Sequence, residues 1–178
     1  MNNKVVSVKA LPELARLTVE EFVRSNQRVT VDETSLPEYR EQRAGIFVTL
    51  YKNGQLRGCI GTINPVQENV LIEVINNAIS SCRNDPRFNP VQAEELPLIK
   101  YSVSVLMPPE PVDSVEQLDA QRYGVIVTAS HNRRGLLLPR LEGINSVNEQ
   151  VYHAMAKAGI NPSEPVSLSR FESIEHKE

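Results

Sequence analysis

Asn53-Gly54 sits between two apolar runs, Ile46 to Tyr51 and Leu56 to Gly61. No other feature constrains the fold of this chain as strongly. A two-residue loop of this type needs positive φ at both central positions. Asn and Gly adopt it at little cost, and the resulting turn matches the twist of paired strands. Residues 46–61 therefore read as an antiparallel β-hairpin. Its second strand is Leu56-Arg57-Gly58-Cys59-Ile60-Gly61. A merely hydrophobic strand has no use for that composition, because glycines in a strand mark places where something approaches the backbone closely. With Lys52 and Gln55 flanking the turn, regular pairing sets Cys59 opposite Val48 and Arg57 opposite Leu50. Arg57 and Cys59 then share a face with Ile46, Val48 and Leu50. A guanidinium among aliphatics requires a carboxylate, an aromatic ring or a bound anion.

The rest of the chain supplies helices and further strands. Leu11, Leu14, Ala15, Val19, Phe22 and Val23 recur at helical spacing and predict an amphipathic helix over 11–26. Residues 27–44, with Pro37, read as a polar loop. Asn64-Pro65-Val66-Gln67 combines an N-cap, a first-turn proline and a capping-box glutamine. Val70, Leu71, Val74, Ile75, Ala78, Ile79 and Cys82 continue that helix. Asp85-Pro86-Arg87-Phe88-Asn89-Pro90 ends it as a rigid, charged loop. Ile99, Tyr101, Val103 and Val105 alternate with Lys100, Ser102 and Ser104, the pattern of a half-buried strand, which Pro108, Pro109 and Pro111 terminate. Val125 to Thr128 and Leu136 to Leu138 form two short strands around the turn His131-Asn132-Arg133-Arg134-Gly135. Ser146 and Glu149 make a capping box for a helix that runs to Gly159. Residues 166–174 read as a final edge strand. Strands joined mainly by hairpins, with helices between, indicate an α+β fold with a largely antiparallel sheet and flanking helices rather than a Rossmann fold.

Composition excludes several classes of function. At 178 residues the chain is one domain, or two small lobes sharing a core. A net charge of −3 gives no global attraction to nucleic acid or anionic membranes. With 5% aromatic residues and no tryptophan, there is no stacking platform for single strands. No apolar run reaches membrane-spanning length, and Met1-Asn2-Asn3-Lys4-Val5 has no signal-peptide core. Two cysteines without an export signal point to the reducing cytoplasm. Three scattered histidines and two distant cysteines give no metal-ligand spacing. Nucleotide-binding glycine loops and a serine-nucleophile elbow are also missing, so no metal and no cofactor is expected.

The candidate site residues centre on the hairpin. Cys59 is a nucleophilic or redox thiol in the functional reading, with Arg57 stabilising a thiolate or an anion and Gly58 and Gly61 opening the approach. A small buried cysteine filling core space accounts equally well for the residue type. Asp85 and Arg87, on the proline-bracketed loop, orient a ligand or form a local ion pair that shapes the turn. His131, Arg133 and Arg134 make the one basic cluster, an anion site or a solvated turn. His131 is a distant candidate for a general base, and Cys82 falls on the apolar stripe of its helix.

Taken together, these segments resemble the AMMECR-type domain family. The matching residues are Gly45 to Leu50, Leu56-Arg57-Gly58-Cys59-Ile60-Gly61-Thr62, Asn77-Ala78-Ile79 and Asp85-Pro86-Arg87-Phe88. They continue with Ser102 to Leu106, Arg134-Gly135-Leu136-Leu137-Leu138-Pro139, Leu141-Glu142-Gly143-Ile144 and Lys157-Ala158-Gly159-Ile160. Glu164-Pro165-Val166 and Arg170-Phe171-Glu172 look like the prokaryotic branch, protein A of the AmmeMemoRadiSam system. Arg140 stands where members usually carry an aspartate, so no acidic role carries over to that position. The resemblance implies a single domain over 1–178, with a larger and a smaller interleaved lobe around a cleft that the hexapeptide borders. It also implies a Memo-like protein and a radical S-adenosylmethionine (radical SAM) enzyme as partners in a modification pathway. No established reaction comes with it. The alternative is a non-catalytic accessory module that uses the same cleft, with Arg57 and Arg87, to bind a small anionic ligand, a protein partner or nucleic-acid machinery.

Overall fold

The hairpin forms as the turn residues dictate. In the computed structural model, which describes residues 3–141 and 143–178, Asn53 and Gly54 have φ of 52° and 79° and close a turn between paired Lys52 and Gln55. Met1, Asn2 and Glu142 of the Leu141–Ile144 motif lie outside the described residues. In chain order the elements are β1 (Lys4–Val6), α1 (Leu11–Ser25), β2 (Val29–Val31), β3 (Ile46–Lys52), β4 (Gln55–Gly61), α2 (Val70–Arg83) and β5 (Ile99–Leu106). Then follow β6 (Glu110–Val112), β7 (Gly124–Thr128), β8 (Arg134–Leu137), α3 (Val147–Lys157), β9 (Ser167–Phe171) and β10 (Ser173–Lys177). The class is α+β, with antiparallel sheets and a few helices.

Two compact units divide the chain: Met1–Val105 with Glu175–Glu178, and Leu106–Ile174. In the first, a four-stranded sheet has the order β10-β5-β3-β4, so β4 is an edge strand. Ile46, Val48 and Leu50 from β3 enter one apolar cluster with Val70, Val74 and Ala78 of α2 and Leu14 of α1. Each side chain of this size, fully buried, contributes about 1.5–3 kcal/mol. Gly58 is where α2 comes closest to β4: a Cβ there would overlap the carbonyl oxygen of Ser81. In the second unit the order is β6-β9-β7-β8. Val125, Val127 and Leu137 pack there with Ala154 and Met155 of α3. The predicted capping box is present: Ser146 Oγ accepts from Glu149 N at 3.2 Å, and Glu149 accepts from Ser146 N at 3.0 Å.

Five expectations are corrected. Residues 27–44 are not wholly loop, because Val29–Val31 pairs in parallel with Lys4–Val6. The second helix starts at Val70, capped by Asn69, whose side chain accepts from Ile72 N at 3.0 Å. Val66 and Gln67 stay outside it because their amides bond to Glu73 instead. Strand β5 is not half-buried: Ser102 and Ser104 are 3% and 5% exposed despite their polarity, so this face is covered as well, and Ser102 gives its hydroxyl to Glu175 at 2.9 Å. The final segment is two strands. β9 is interior, between β6 and β7, and only β10 lies at an edge.

The fifth correction is to register. Tyr51 pairs with Leu56, but Leu50 pairs with Gly58, so Arg57 is an extra residue in the ladder, a β-bulge. Past the bulge every partner moves by one. Cys59 faces Thr49, not Val48, and leaves the face of Ile46, Val48 and Leu50.

The two glycines of the hairpin should respond differently to alanine. Gly58→Ala forces β4 from α2 and should lower stability by about 1–3 kcal/mol through overpacking. Gly54 has open space around it, so Gly54→Ala should lose only the backbone strain of positive φ, about 1–2 kcal/mol. Urea unfolding of each variant measures both, and the Gly58 variant alone should also disturb the near-ultraviolet spectrum of the packed unit.

Candidate functional site

The site is built from a polar stripe on an otherwise apolar helix. Glu73, Asn77 and Ser81 recur every fourth residue along α2, and Asp85 extends the spacing just beyond its end. Residues four apart share one helix face. All four are buried, between 1% and 5% exposed, so each must find hydrogen-bond partners. They find them in the hairpin and in the segment just after it. Glu73 accepts from Thr62 Oγ1 at 2.7 Å and from the amides of Val66 and Gln67 at 2.9 and 2.8 Å. Asn77 Nδ2 donates to Ile46 O at 3.1 Å. Ser81 Oγ accepts from Ile60 N at 2.9 Å and donates to Val48 O at 2.7 Å.

Asp85 and Arg87 close the stripe around Cys59. Asp85 Oδ2 accepts from Cys59 N at 2.8 Å, and Arg87 Nη2 donates to Cys59 O at 3.2 Å. The two side chains are themselves joined, Nε to Oδ1 at 2.9 Å and Nη2 to Oδ2 at 2.7 Å. The ion pair expected from sequence therefore forms, and it also grips both main-chain groups of one residue on an edge strand. Burial alone would raise the Asp85 pKa. Hydrogen bonds from Arg87 and from the Cys59 amide outweigh it and hold the carboxyl down at about 2.

Arg57 finds the carboxylate that its position requires. Nε and Nη2 meet Glu95 Oε1 and Oε2, each at 2.9 Å, and Nη2 also donates to Asn89 O at 3.0 Å. Lys52 Nζ reaches Glu95 Oε1 at 2.8 Å. The Arg57 hydrogen bonds hold the Glu95 carboxyl well below the usual carboxylate range and in turn raise Arg57. The ring of Phe88 lies 5.8 Å from the guanidinium carbon of Arg57 and 5.5 Å from that of Arg87, within cation–π range of both. The charges of Arg57 and Arg87 are thus both matched inside the protein.

The two cysteines, both thiols, differ in environment. Cys59 is partly exposed, and Thr49 Oγ1 donates to its sulfur at 3.3 Å. Cys82 is 3% exposed in the apolar core, where burial pushes its thiol up to about 11. Gly58 and Gly61 border Cys59, but what approaches them closely is this chain itself: Ser81 O over Gly58, and the Phe47 ring with Ile46 O over Gly61. Arg134 and His131 belong to the second unit. Arg134 is half-buried with its Nε unpartnered, His131 has φ of 58°, and Arg133 is ion-paired with Glu164. No group of three or more His, Cys, Asp or Glu among the described residues could hold a metal ion. None of the described helices is long and apolar enough to cross a membrane.

Sequence reasoning missed Glu73, Ser81, Glu95 and Thr49. The first two carried a signal, a polar residue every fourth position through an apolar helix. Glu95 and Thr49 carried none, because both are identified only by strand register and a long loop.

Comparison with known proteins gives a consistent picture. The AMMECR1 family model matches residues 12–176. A Thermotoga maritima protein is 46% identical over 155 residues, covering 86% of this chain and 88% of its own length. A Methanothermobacter thermautotrophicus protein is 39% identical over 161 residues, covering 86% and 83%. A Clostridium acetobutylicum protein is 44% identical over 168 residues, 93% of this chain, which spans only 35% of that longer protein. The crystal structure of an uncharacterized protein from Pyrococcus horikoshii, PH0010, superposes with a TM-score of 0.86 at 31% identity, covering 94% of this chain and 89% of that one.

The ionic grip on Cys59 should be visible in acid. Folding lowers the Asp85 pKa from its ordinary 3.8 to about 2. The stabilisation is therefore complete above pH 4 and lost as pH falls through 2, on the order of 2 kcal/mol. Asp85→Asn should be less stable than the parent by about that amount at pH 7, with the gap closing toward pH 2. Urea unfolding at a series of pH values checks this; a gap independent of pH would assign Asp85 a packing role only.

Proposed function

The chain belongs to the AMMECR1 family, and from that premise we propose that it is a substrate-handling component of a modification pathway and works through the thiol of Cys59. One observation carries this reading. Cys59 is a partly exposed thiol whose sulfur accepts a hydrogen bond from Thr49 and whose N–H and C=O are both held, by Asp85 and Arg87. A nucleophile or substrate-binding group gains most when its position is set before the substrate arrives. A hydroxyl that donates to sulfur also favours the thiolate, the reactive form.

The other residues have supporting roles in this reading. Arg57, matched by Glu95, fixes the bulge that turns Cys59 away from the core, and its bidentate pairing is suited to holding geometry. Asp85 and Arg87 hold the strand. Gly58 and Gly61 let α2 and β3 close on it. A Memo-like protein and a radical SAM enzyme are the proposed partners, passing substrate or product to and from this chain. The binding-module reading has one observation in its favour: the Arg87 side chain is 52% exposed despite its bond to Asp85, leaving its outer edge open to an anionic ligand or an acidic partner segment.

Iodoacetamide labelling with peptide mapping tests the thiol. Cys59 should label at least tenfold faster than Cys82 in the folded protein, and faster than the same peptide in urea. Labelling no faster than in the unfolded chain would defeat the proposal. Capture of the Memo-like and radical SAM proteins from the native host distinguishes the two readings. Under the thiol reading, Cys59→Ser keeps the partners but abolishes the pathway's product. Under the binding reading, Arg87→Ala loses the partners and Cys59→Ser changes nothing.

A further inference from the structure

Within the first unit, β2 and the first half of α2 border a cavity of about 300 Å³ that the Cys59 site does not use. Two arginines line it, Arg28 and Arg40. Most of the remaining wall is aliphatic: Val29 and Val31 from β2, and Leu71, Ile72 and Ile75 from α2. Arg16, Arg24, Arg57 and Arg87 of the same unit each meet a carboxylate. Arg28 and Arg40 meet none among the described residues. Arg28 Nη2 donates to Asn76 Oδ1, and Arg40 Nη2 donates to the main-chain carbonyl of Asp32. The Asp32 carboxylate is itself occupied by the amides and hydroxyls of Thr34 and Ser35, at 2.7–3.0 Å. Glu33, Glu38, Glu41 and Glu68 are close in sequence, but all four are exposed and none pairs with either arginine. Arg40 Nε is buried and has no hydrogen-bond partner among the described residues. A guanidinium keeps its charge and carries five donors, and a buried donor left without an acceptor costs free energy.

We propose that this cavity binds a short aliphatic carboxylate, its head taken by Arg28 and Arg40 and its chain by the aliphatic wall. Three observations select that class. Two guanidiniums without counter-ions match the planar, bidentate geometry of a carboxylate. Val29, Leu71 and Ile75 are buried, and an alkyl chain laid against them gains with every methylene removed from water. No aromatic ring lines the cavity, so a nucleobase would find no stacking partner. The volume lies at the small end of the range for ligand pockets, about 300–1,000 Å³, which suits a single short chain. The inference does not rest on the thiol reading, since none of Arg57, Cys59, Asp85 and Arg87 lines the cavity. Arg43 provides an internal comparison. It too lacks a carboxylate partner, but it donates to the carbonyls of Gln67 and Pro65 at 3.1 and 3.4 Å and lies outside the lining.

Titration calorimetry of the full chain with octanoate tests the proposal, with hexanoate, butanoate, 1-octanol and inorganic phosphate as comparisons. Octanoate should bind at one saturable site with a Kd below about 1 mM. Affinity should rise about fourfold for each methylene from butanoate upward, and 1-octanol, which has the chain without the charge, should bind at least tenfold more weakly. Arg28→Gln and Arg40→Gln should each weaken octanoate about tenfold. Arg40 also ties the chain to Asp32, so the exposed Arg28 gives the variant that leaves the fold intact. Arg43→Gln removes the same charge and should keep the parent affinity. Amide resonances of residues 28–31 and 69–75 should shift as octanoate is added, which places the ligand. A Kd above about 1 mM overturns the site. So does phosphate binding as tightly as octanoate, an equal loss in Arg43→Gln, or shifts confined to other residues. Cys59→Ser should leave octanoate binding unchanged, so the failure of this inference and the failure of the thiol reading are read separately.

Discussion

The buried polar stripe of α2 is the interaction on which the rest of the first unit depends. Glu73, Asn77, Ser81 and Asp85 would be costly as unpaired groups, about 1–3 kcal/mol each and more for the charged ones. Each is instead bonded to the hairpin or to the segment just after it. A purely apolar helix would pack on the sheet as well but would not choose one position along it. These bonds do choose, because moving the helix by one residue would break all four attachments at once. They also occupy main-chain groups of β4, an edge strand that otherwise presents free donors and acceptors to other chains.

From that attachment the position of Cys59 follows. The helix lies so close at Gly58 that no side chain fits, and the strand accommodates the approach with a bulge at Arg57. The bulge is held in turn by Glu95, which takes the guanidinium with both carboxylate oxygens. One consequence is that Cys59 leaves the aliphatic face for one where Thr49 and Ser102 lie. The odd composition of the hexapeptide thus has a mechanical explanation. Its glycines admit the helix and the neighbouring strand, its arginine fixes the bulge, and its cysteine is displayed as a result.

Much of the fold was legible in the sequence. Asn53-Gly54 located the hairpin, helical periodicity found the three α-helices of the described residues, and Ser146 with Glu149 marked the start of the last one. These signals are local, carried within a few residues. The errors were of another kind. Asn64-Pro65 looked like a helix start because nothing local reveals that Glu73 takes the amides of Val66 and Gln67. Ser102 and Ser104 looked solvent-facing because alternation normally means one wet face, whereas both faces of β5 are buried from Tyr101 to Leu106. Of the candidate site, Arg57, Cys59, Asp85 and Arg87 were found as residue types, and the structure joins them into one arrangement. Arg134 and His131 were chosen on charge alone and lie in the second unit.

By itself the sequence determined the three α-helical segments, the central hairpin, the longer strands and which hexapeptide stands out, while the short strands Lys4–Val6, Val29–Val31 and Glu110–Val112 were not legible in it. Those choices rest on backbone propensity and side-chain period, which act over a few residues. Only the tertiary structure decided which way Cys59 faces. Straight and bulged pairing of one hairpin differ by a single residue and satisfy the same turn. The balance is tipped by groups far along the chain: Ser81 pressing on Gly58, Asp85 on the Cys59 amide, and Glu95 holding Arg57 from 38 residues away. A register is a long-range agreement between elements, so it is fixed when the helix and the loop beyond it close on the strand.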